Sequence, residues 1–222
     1  MNRMAILGSA PLASEAAGSP ARRSRGARAR ERGATRAALV RCGVELCTER
    51  GFQVTGIDEI LRRVGVPKGS FYHFFPSKKA FGVAVIDNYA QYFGQKLGRH
   101  LQDDSLAPLQ RLRNFIEEAC EGMARYAFRR GCLVGNMGQE LGGLDDDFQL
   151  RLEAVLRAWQ SQTAACLELA RDAGEIPASA DPAALAEVFW IGWEGAILRS
   201  KLHRSAQPMQ AFSEFFFVHI SR

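Results

Sequence analysis

Hydrophobic residues recur at helical spacing through almost the whole chain after residue 33, and this pattern constrains the fold more than any other feature. Such stripes are typical of amphipathic helices with one buried face. No alternating pattern of useful length, typical of a β-strand, appears, so the sequence predicts an all-α fold. The clearest stripe consists of Phe148, Leu152, Val155, Leu156, Trp159, Thr163, Cys166, Leu167 and Ala170.

Glycine, proline and capping residues divide this pattern into helices. A first helix ends at Gly51, and a short one carrying Ile57, Ile60, Leu61 and Val64 ends at Gly65. Thr55 and Asp58 predict a capping box at the start of that short helix, and Ser77 predicts the cap of a long one. Further helices are expected over residues 67–74, 77–101, 106–128, 131–141, 145–172, 182–203 and 208–220.

Charge is divided unevenly along the chain, which has a net charge of +5. Residues 1–33 carry a net +5, residues 34–80 carry +4, and residues 81–222 carry −4. Such asymmetry indicates a polyanionic partner for the first third of the chain, while a solvated basic tail is the alternative. Residues 1–33 are rich in Ala, Gly, Ser, Pro and Arg, and we expect them to form a disordered basic arm.

Several function classes find little support. The five cysteines are odd in number and form no CxxC pair, which indicates reduced thiols in a cytoplasmic protein rather than disulfides or a zinc site. No run of eighteen apolar residues exists to span a membrane. The four histidines have no metal-ligand spacing, and no catalytic or nucleotide-binding motif appears. We therefore expect no enzyme, no metal and no cofactor.

Residues 54–80 predict a helix-turn-helix, in which two short helices flank a turn at Gly65. In that motif the second helix enters the major groove of double-stranded DNA. A generic helical hairpin is the alternative. A buried helix of this length would not normally carry Lys68, Ser70, Tyr72 and His73.

Four motifs lie in and beside this segment: ERGF at 49–52, IDEI at 57–60, GVPKGSFYHFF at 65–75 and SK at 77–78. Through these motifs, residues 36–82 resemble the DNA-binding domain of the TetR family of bacterial repressors. After the disordered arm that composition predicts for 1–33, the resemblance implies a helix-turn-helix DNA-binding domain over 34–80 and a ligand-binding and dimerisation domain over 81–222. The expected partners are a pseudo-palindromic operator, a small-molecule effector and a second copy of the chain.

The same resemblance implies roles for individual residues. Thr55 and Tyr72 are expected to contact phosphate through their hydroxyls, and Lys78 through its ammonium group. Lys68, Gly69, Ser70 and His73 are expected to face the groove. In the second half of the chain, the stripes of residues 147–172 and 182–203 suit a helix pair that doubles across a two-fold axis, with an intramolecular core as the alternative.

Two further segments, RRGCLVGNMGQE at 129–140 and FWIGWEGAIL at 189–198, resemble acrylate-responsive members of this family. They imply a repressor that is released from DNA by acrylate or a similar small unsaturated carboxylate. A small carboxylate needs a cation or several donors in an apolar cavity. The alternative is that these segments are tightly packed core. The candidate ligand-binding residues are Tyr126, Arg129, Cys132, Asn136, Gln139, Trp190 and Trp193.

Cys132 admits a different interpretation. It lies at the start of a predicted helix beside Arg129 and Arg130, and both features lower the pKa of a thiol. A thiol-based electrophile or redox sensor acting through Cys132 is therefore an alternative, and an inert buried cysteine is another. From a different class, a helical protein-interaction module without sequence-specific DNA binding also fits the basic first third.

Overall fold

A computed structural model of the protein describes residues 20–221, with side chains from residue 28 onward. Over this range the backbone forms helices and turns and no strand, which confirms the predicted all-α class. None of the helices within it is long and apolar enough to cross a bilayer. The α-helices are Pro20–Arg50 (α1), Ile57–Val64 (α2), Phe71–Phe74 (α3), Lys78–Leu101 (α4), Pro108–Arg125 (α5), Leu133–Leu141 (α6), Asp146–Asp172 (α7), Pro182–His203 (α8) and Gln207–Ile220 (α9).

Within the described residues, the chain from Ala37 onward forms one compact unit, and the part of α1 up to Arg36 belongs to another. Residues 1–19 of the predicted disordered arm lie outside the described residues. Residues 20–33 belong to α1, so the expectation of disorder is wrong for that part. Alanine and arginine are among the strongest helix formers, and they outweigh the two glycines of this stretch.

Capping side chains begin three of the long helices, and the sequence predicted the one at Ser77. The Ser77 hydroxyl accepts a hydrogen bond from the Ala80 N–H at 3.0 Å and caps α4. The carboxylates of Asp145 and Asp181 cap α7 and α8 in the same way. The predicted capping box at α2 is wrong.

Gly56, rather than Thr55, is the N-cap residue of α2. The Thr55 hydroxyl instead donates to the Gly51 carbonyl at 2.6 Å, and its side chain is buried. Gly51 ends α1 with φ +93°, a left-handed conformation that favours glycine. The hydroxyl of Thr55 therefore fixes the turn after α1 instead of capping the next helix.

Aromatic side chains fill the interior at both ends of the second unit. Around α2, α3 and α4, Phe71 and Phe75 pack against Phe81 with ring centroids 5.4 and 5.0 Å away. Between α7 and α8, Trp159 and Trp190 lie 5.1 Å apart, and Trp193 stacks on Phe189 at 5.8 Å. An aromatic core therefore supports the segment formed by α2 and α3, and another supports the packing of α7 against α8.

Replacing the α4 cap tests its contribution. We expect Ser77→Ala to lower the free energy of unfolding by about 1 kcal/mol, because the Ala80 N–H loses its acceptor. Urea denaturation measures this difference. Ser161→Ala, at an exposed position inside α7, is the matched control and should not destabilise the protein. Equal stabilities of the Ser77 variant and the unmodified protein would contradict the assignment.

Candidate DNA-binding surface and effector site

The helix-turn-helix presents a polar surface that is held in place by one buried ring. After Pro67 the chain forms a single 3₁₀ turn over Lys68–Ser70, followed by α3. Phe71 is fully buried beneath this segment. Lys68, Gly69, Tyr72 and His73 are exposed, and Ser70 is half-buried. The predicted groove-facing residues therefore point outward together.

Two of the predicted DNA-contacting residues differ in their surroundings. Lys78 begins α4, where its ammonium donates to the Gln53 carbonyl at 3.0 Å and lies 4.9 Å from the centroid of the Phe52 ring. Thr55 is 1 % exposed and its hydroxyl is already bonded within the protein. A phosphate cannot reach that hydroxyl, so the expected role of Thr55 is corrected.

Groups in the C-terminal part of the chain, from residue 131 onward, donate hydrogen bonds to the end of α1, which leads into the helix-turn-helix. The Asn136 side-chain amide, on α6, donates to the carbonyls of Cys47 and Thr48 at 2.9 and 3.0 Å. The backbone N–H of Gly131 donates to the Thr48 carbonyl at 2.9 Å. The Cys47 carbonyl also accepts from the Gly51 N–H at 3.1 Å, whereas the Thr48 carbonyl, near the end of the helix, depends on these donors.

Two charged groups extend this connection. The Lys201 ammonium, on α8, donates to the Glu49 carbonyl at 2.8 Å. One carboxylate oxygen of Glu140, on α6, accepts from the N–H groups of Phe52 and Gln53 at 2.8 and 2.9 Å. We call Asn136, Glu140 and Lys201 the α1 clamp. It joins the ligand-binding half to the segment that precedes α2.

Two cavities adjoin at Cys132, Gly131 and Ile197, which line both. The large cavity has a volume of about 560 Å³ and lies among α4, α5 and α8. The small cavity has a volume of about 300 Å³ and lies between α6 and α8. Both volumes suit a bound small molecule.

The structure divides the candidate ligand-binding residues among different places. Tyr126 and Trp193 line the large cavity, Asn136 and Gln139 line the small one, and Cys132 lines both. The other two candidates lie apart. Trp190 is core, since its indole N–H donates to the Thr163 hydroxyl at 3.0 Å and its ring is buried. Arg129 is exposed and lines neither cavity.

The large cavity combines cations with an aromatic floor. Lys96 lines it and pairs with Glu118 at 3.3 Å, while the Arg130 guanidinium lies 4.0 Å above the Tyr126 ring. Trp193 is fully buried, yet its indole N–H has no acceptor among the described residues. A buried donor without a partner is costly unless a ligand or water supplies one. The cations at this cavity favour a small anion.

Of the alternatives for Cys132, its surroundings favour the inert buried cysteine. Its thiol is buried, and burial raises its pKa well above the ordinary value, assisted by the negative charge of Glu194. Cys132 does occupy the N-cap position of α6 beside two arginines, but desolvation outweighs those effects. The thiol is therefore protonated at neutral pH, which disfavours the thiol-sensor alternative.

Glu194 is a site residue that the sequence interpretation missed. Burial raises the pKa of its carboxyl group to about 7, and one carboxyl oxygen has no hydrogen-bond partner among the described residues. The other oxygen lies where a side chain at position 135 would collide with it, since a Cβ on Gly135 would be 2.2 Å away. The sequence did contain a signal for this residue, because Glu194 is the one charged residue in the apolar segment 189–198.

Comparison with known proteins identifies the class. Residues 39–85 match the family model described as "Bacterial regulatory proteins, tetR family". Residues 108–216 match the model of the "Tetracyclin repressor-like, C-terminal domain". The chain belongs to the TetR family, and it is a ligand-responsive transcriptional repressor, not an enzyme. Repressors of this family bind operator DNA and small-molecule effectors and are typically dimers.

Individual relatives cover most of the chain. It is 52 % identical over 197 residues to the transcriptional regulator AcuR of Cereibacter sphaeroides, covering 86 % of this chain and 90 % of that one. It is 31 % identical to the repressor NemR of Escherichia coli K12, covering 79 % and 88 %. A crystal structure of the regulatory protein TetR from Rhodobacter sphaeroides superposes with a TM-score of 0.81 at 52 % identity, covering 83 % of this chain and 98 % of that chain.

The α1 clamp has a measurable energetic consequence. We expect Glu140→Ala to lower the free energy of unfolding by about 1–3 kcal/mol, because two backbone N–H groups lose their charged acceptor. Chemical denaturation followed by circular dichroism measures the loss. Glu117→Ala, at an exposed position on α5, is the control. A loss no larger than that of the control would show that the two N–H groups need no carboxylate.

Glu194 makes stability depend on pH in a defined direction. The unfolded chain loses this proton near pH 4.5, whereas the folded protein keeps it to about pH 7. The folded state thus binds more protons between these values, and stability falls as the pH rises through them. Glu194→Gln removes this loss. The free energy of unfolding of the variant, minus that of the unmodified protein, should therefore increase by about 1–3 kcal/mol from pH 5 to pH 8.

Denaturation curves at the two pH values measure this increase. Glu187→Gln, an exposed carboxylate on the same helix, should show the same relative stability at both. A pH-independent difference for the Glu194 variant would mean that its carboxyl group titrates normally in the folded protein.

Proposed function

We propose that the protein binds a pseudo-palindromic operator as a homodimer and leaves it when a small carboxylate, acrylate or a similar unsaturated acid, binds in its C-terminal half. One observation carries the DNA-binding part. The side chains of Lys68, Tyr72 and His73 are all exposed, while Phe71 anchors the segment from within. A helix with this arrangement can enter a major groove, where base contacts set sequence preference.

Lys68 and His73 are the proposed base-reading residues, with Gly69 allowing close approach and Ser70 beside them. Tyr72 and Lys78 are the proposed phosphate contacts. Lys68 also pairs with Asp58 at 3.0 Å, but both side chains are largely exposed. Such an exposed ion pair contributes little to the stability of the fold, so Lys68 can readily exchange it for a contact with DNA.

Exposed apolar residues on α8 support the homodimer. Val188 is 57 % exposed, Ile191 68 %, Leu198 49 % and Leu202 69 %. Their spacing places them on one face of the helix, with Gly195 between them. An apolar stripe of this kind favours burial against a second copy of the chain, with α7 and α8 doubling into a four-helix bundle.

The chemistry of the large cavity supports an acidic effector. Lys96, Arg125 and Arg130 line it, although Lys96 pairs with Glu118 at 3.3 Å and Arg130 with Glu45 at 3.5 Å. These cations attract a carboxylate from solvent toward the two adjoining cavities. The resemblance of residues 129–140 and 189–198 to acrylate-responsive repressors favours a small unsaturated acid.

The α1 clamp supports a route from the effector to the DNA. Asn136 and Lys201 line the small cavity and also hold the end of α1. A ligand that favours a second arrangement of α6 therefore shifts the segment that leads into α2. A coupling free energy of about 1–3 kcal/mol would weaken operator binding about 5–150-fold.

Substitutions on the recognition segment test the proposal. Footprinting on the DNA upstream of the coding region locates the operator, and fluorescence anisotropy measures affinity for it. We expect His73→Ala to weaken operator binding about 5–150-fold by removing a base contact, with a smaller effect on unrelated DNA.

The matched control is Lys79→Ala. Lys79 is also a cation near the start of α4, but it pairs with Asp145 and Asp147. We expect its operator affinity to stay within about twofold of the unmodified protein. Equal affinity of the protein for operator and unrelated DNA would favour the protein-interaction module instead.

A further inference from the structure

We propose that the small cavity binds the carboxylate of the effector, with the protonated carboxyl of Glu194 donating a hydrogen bond to it and Lys201 supplying the positive charge. This inference rests on the proposed function and names the residues that recognise the acid. The small cavity differs from the large cavity in its chemistry, because recognition in the small cavity requires a proton on Glu194.

Glu194 is built into the small cavity with unused hydrogen-bonding capacity. One of its carboxyl oxygens is inaccessible to solvent and has no partner within residues 28–221. The absence of a side chain at Gly135 admits the other oxygen into the space between α6 and α8. A buried carboxyl with an unpaired oxygen is costly, and a bound group that shares its proton satisfies it.

The groups around Glu194 leave its carboxyl without an ionic partner. The Cys132 thiol on α6 and the Tyr89 hydroxyl on α4 face it, and burial raises the pKa of both, so they are neutral. None of the described side chains forms an ion pair with Glu194. The other charged side chains that line a cavity or groove together with Glu194 are Lys201, Glu187, Glu153 and Arg157.

These surroundings select an acid. Two carboxylates cannot share a dry site while both are ionised, but they bind well when one holds a proton. Glu194 has a pKa of about 7 and can therefore hold that proton at modest cost near neutral pH. The Lys201 ammonium at the same cavity offsets the remaining negative charge.

Binding at this place would act on the α1 clamp directly. Lys201 donates to the Glu49 carbonyl and Asn136 to the carbonyls of Cys47 and Thr48. A carboxylate is a stronger acceptor than a carbonyl, so it competes for these donors. The effector would then loosen the end of α1 and the helix-turn-helix that follows.

The test is isothermal titration calorimetry of acrylate into the full-length protein at pH 7.5, in phosphate, HEPES and Tris buffers. Because about three-quarters of Glu194 is ionised at this pH, binding should take up about three-quarters of a proton per acrylate. Acrylate affinity should also be about tenfold weaker at pH 8 than at pH 6, a measurement that needs no variant.

Glu194→Gln keeps a donor but cannot titrate, so it should bind acrylate with no proton uptake. Glu187→Gln, on the exposed side of the same helix, should behave like the unmodified protein. Neutral acrylamide should cause no proton uptake in any of the three proteins.

The outcomes separate this inference from the proposed function. Acrylate that releases operator without proton uptake, or with equal uptake in the Glu194 variant, overturns the inference and leaves the proposed function standing. If no small carboxylate binds between pH 6 and pH 8, both are overturned.

Discussion

The end of α1 depends on hydrogen bonds from another part of the fold. A helix leaves its last carbonyls without partners, and a loop leaves its N–H groups free. Here Asn136 and Lys201 satisfy the carbonyls, and Glu140 accepts from the loop N–H groups. Because Asn136 and Lys201 also line the small cavity, our proposal makes the position of the helix-turn-helix depend on what that cavity binds.

Both cavities carry positive charge, but only the small one contains a buried carboxyl group. Lys96, Arg125 and Arg130 line the large cavity and attract an anion from solvent. The small cavity contains the neutral thiol of Cys132 and a carboxyl that ionises only near pH 7. A repressor with both features can attract an acid through charge and recognise it through a proton. In our account the first property favours encounter and the second favours specificity.

Local pattern predicted most of the fold and little of the site. Periodicity predicted α4, α7 and α8 closely, and Ser77 predicted the start of α4, because these signals act within a few residues. Thr55 shows where such signals fail. The sequence predicts that its hydroxyl caps α2. In the structure the turn at Gly51 brings the Gly51 carbonyl within 2.6 Å, and the hydroxyl donates to that carbonyl instead.

Cys132 and Glu194 show a different limit. The arginines beside Cys132 are visible in the sequence, but its burial and the carboxyl of Glu194, which is sixty-two positions away, arise only from folding. Trp190 likewise found its partner in Thr163 on another helix. Exposure of the recognition segment was predictable because a short helix that carries Lys68, Tyr72 and His73 is unlike a core helix. Charge states in the cavities depend on tertiary contacts instead.

Hydrogen exchange at the backbone N–H groups of Phe52 and Gln53 tests the central claim most directly, since both donate to Glu140. The account predicts slow exchange in the effector-free protein and faster exchange at saturating acrylate, with N–H groups in the middle of α7 unchanged. Release from operator with undiminished protection at these two positions would contradict it.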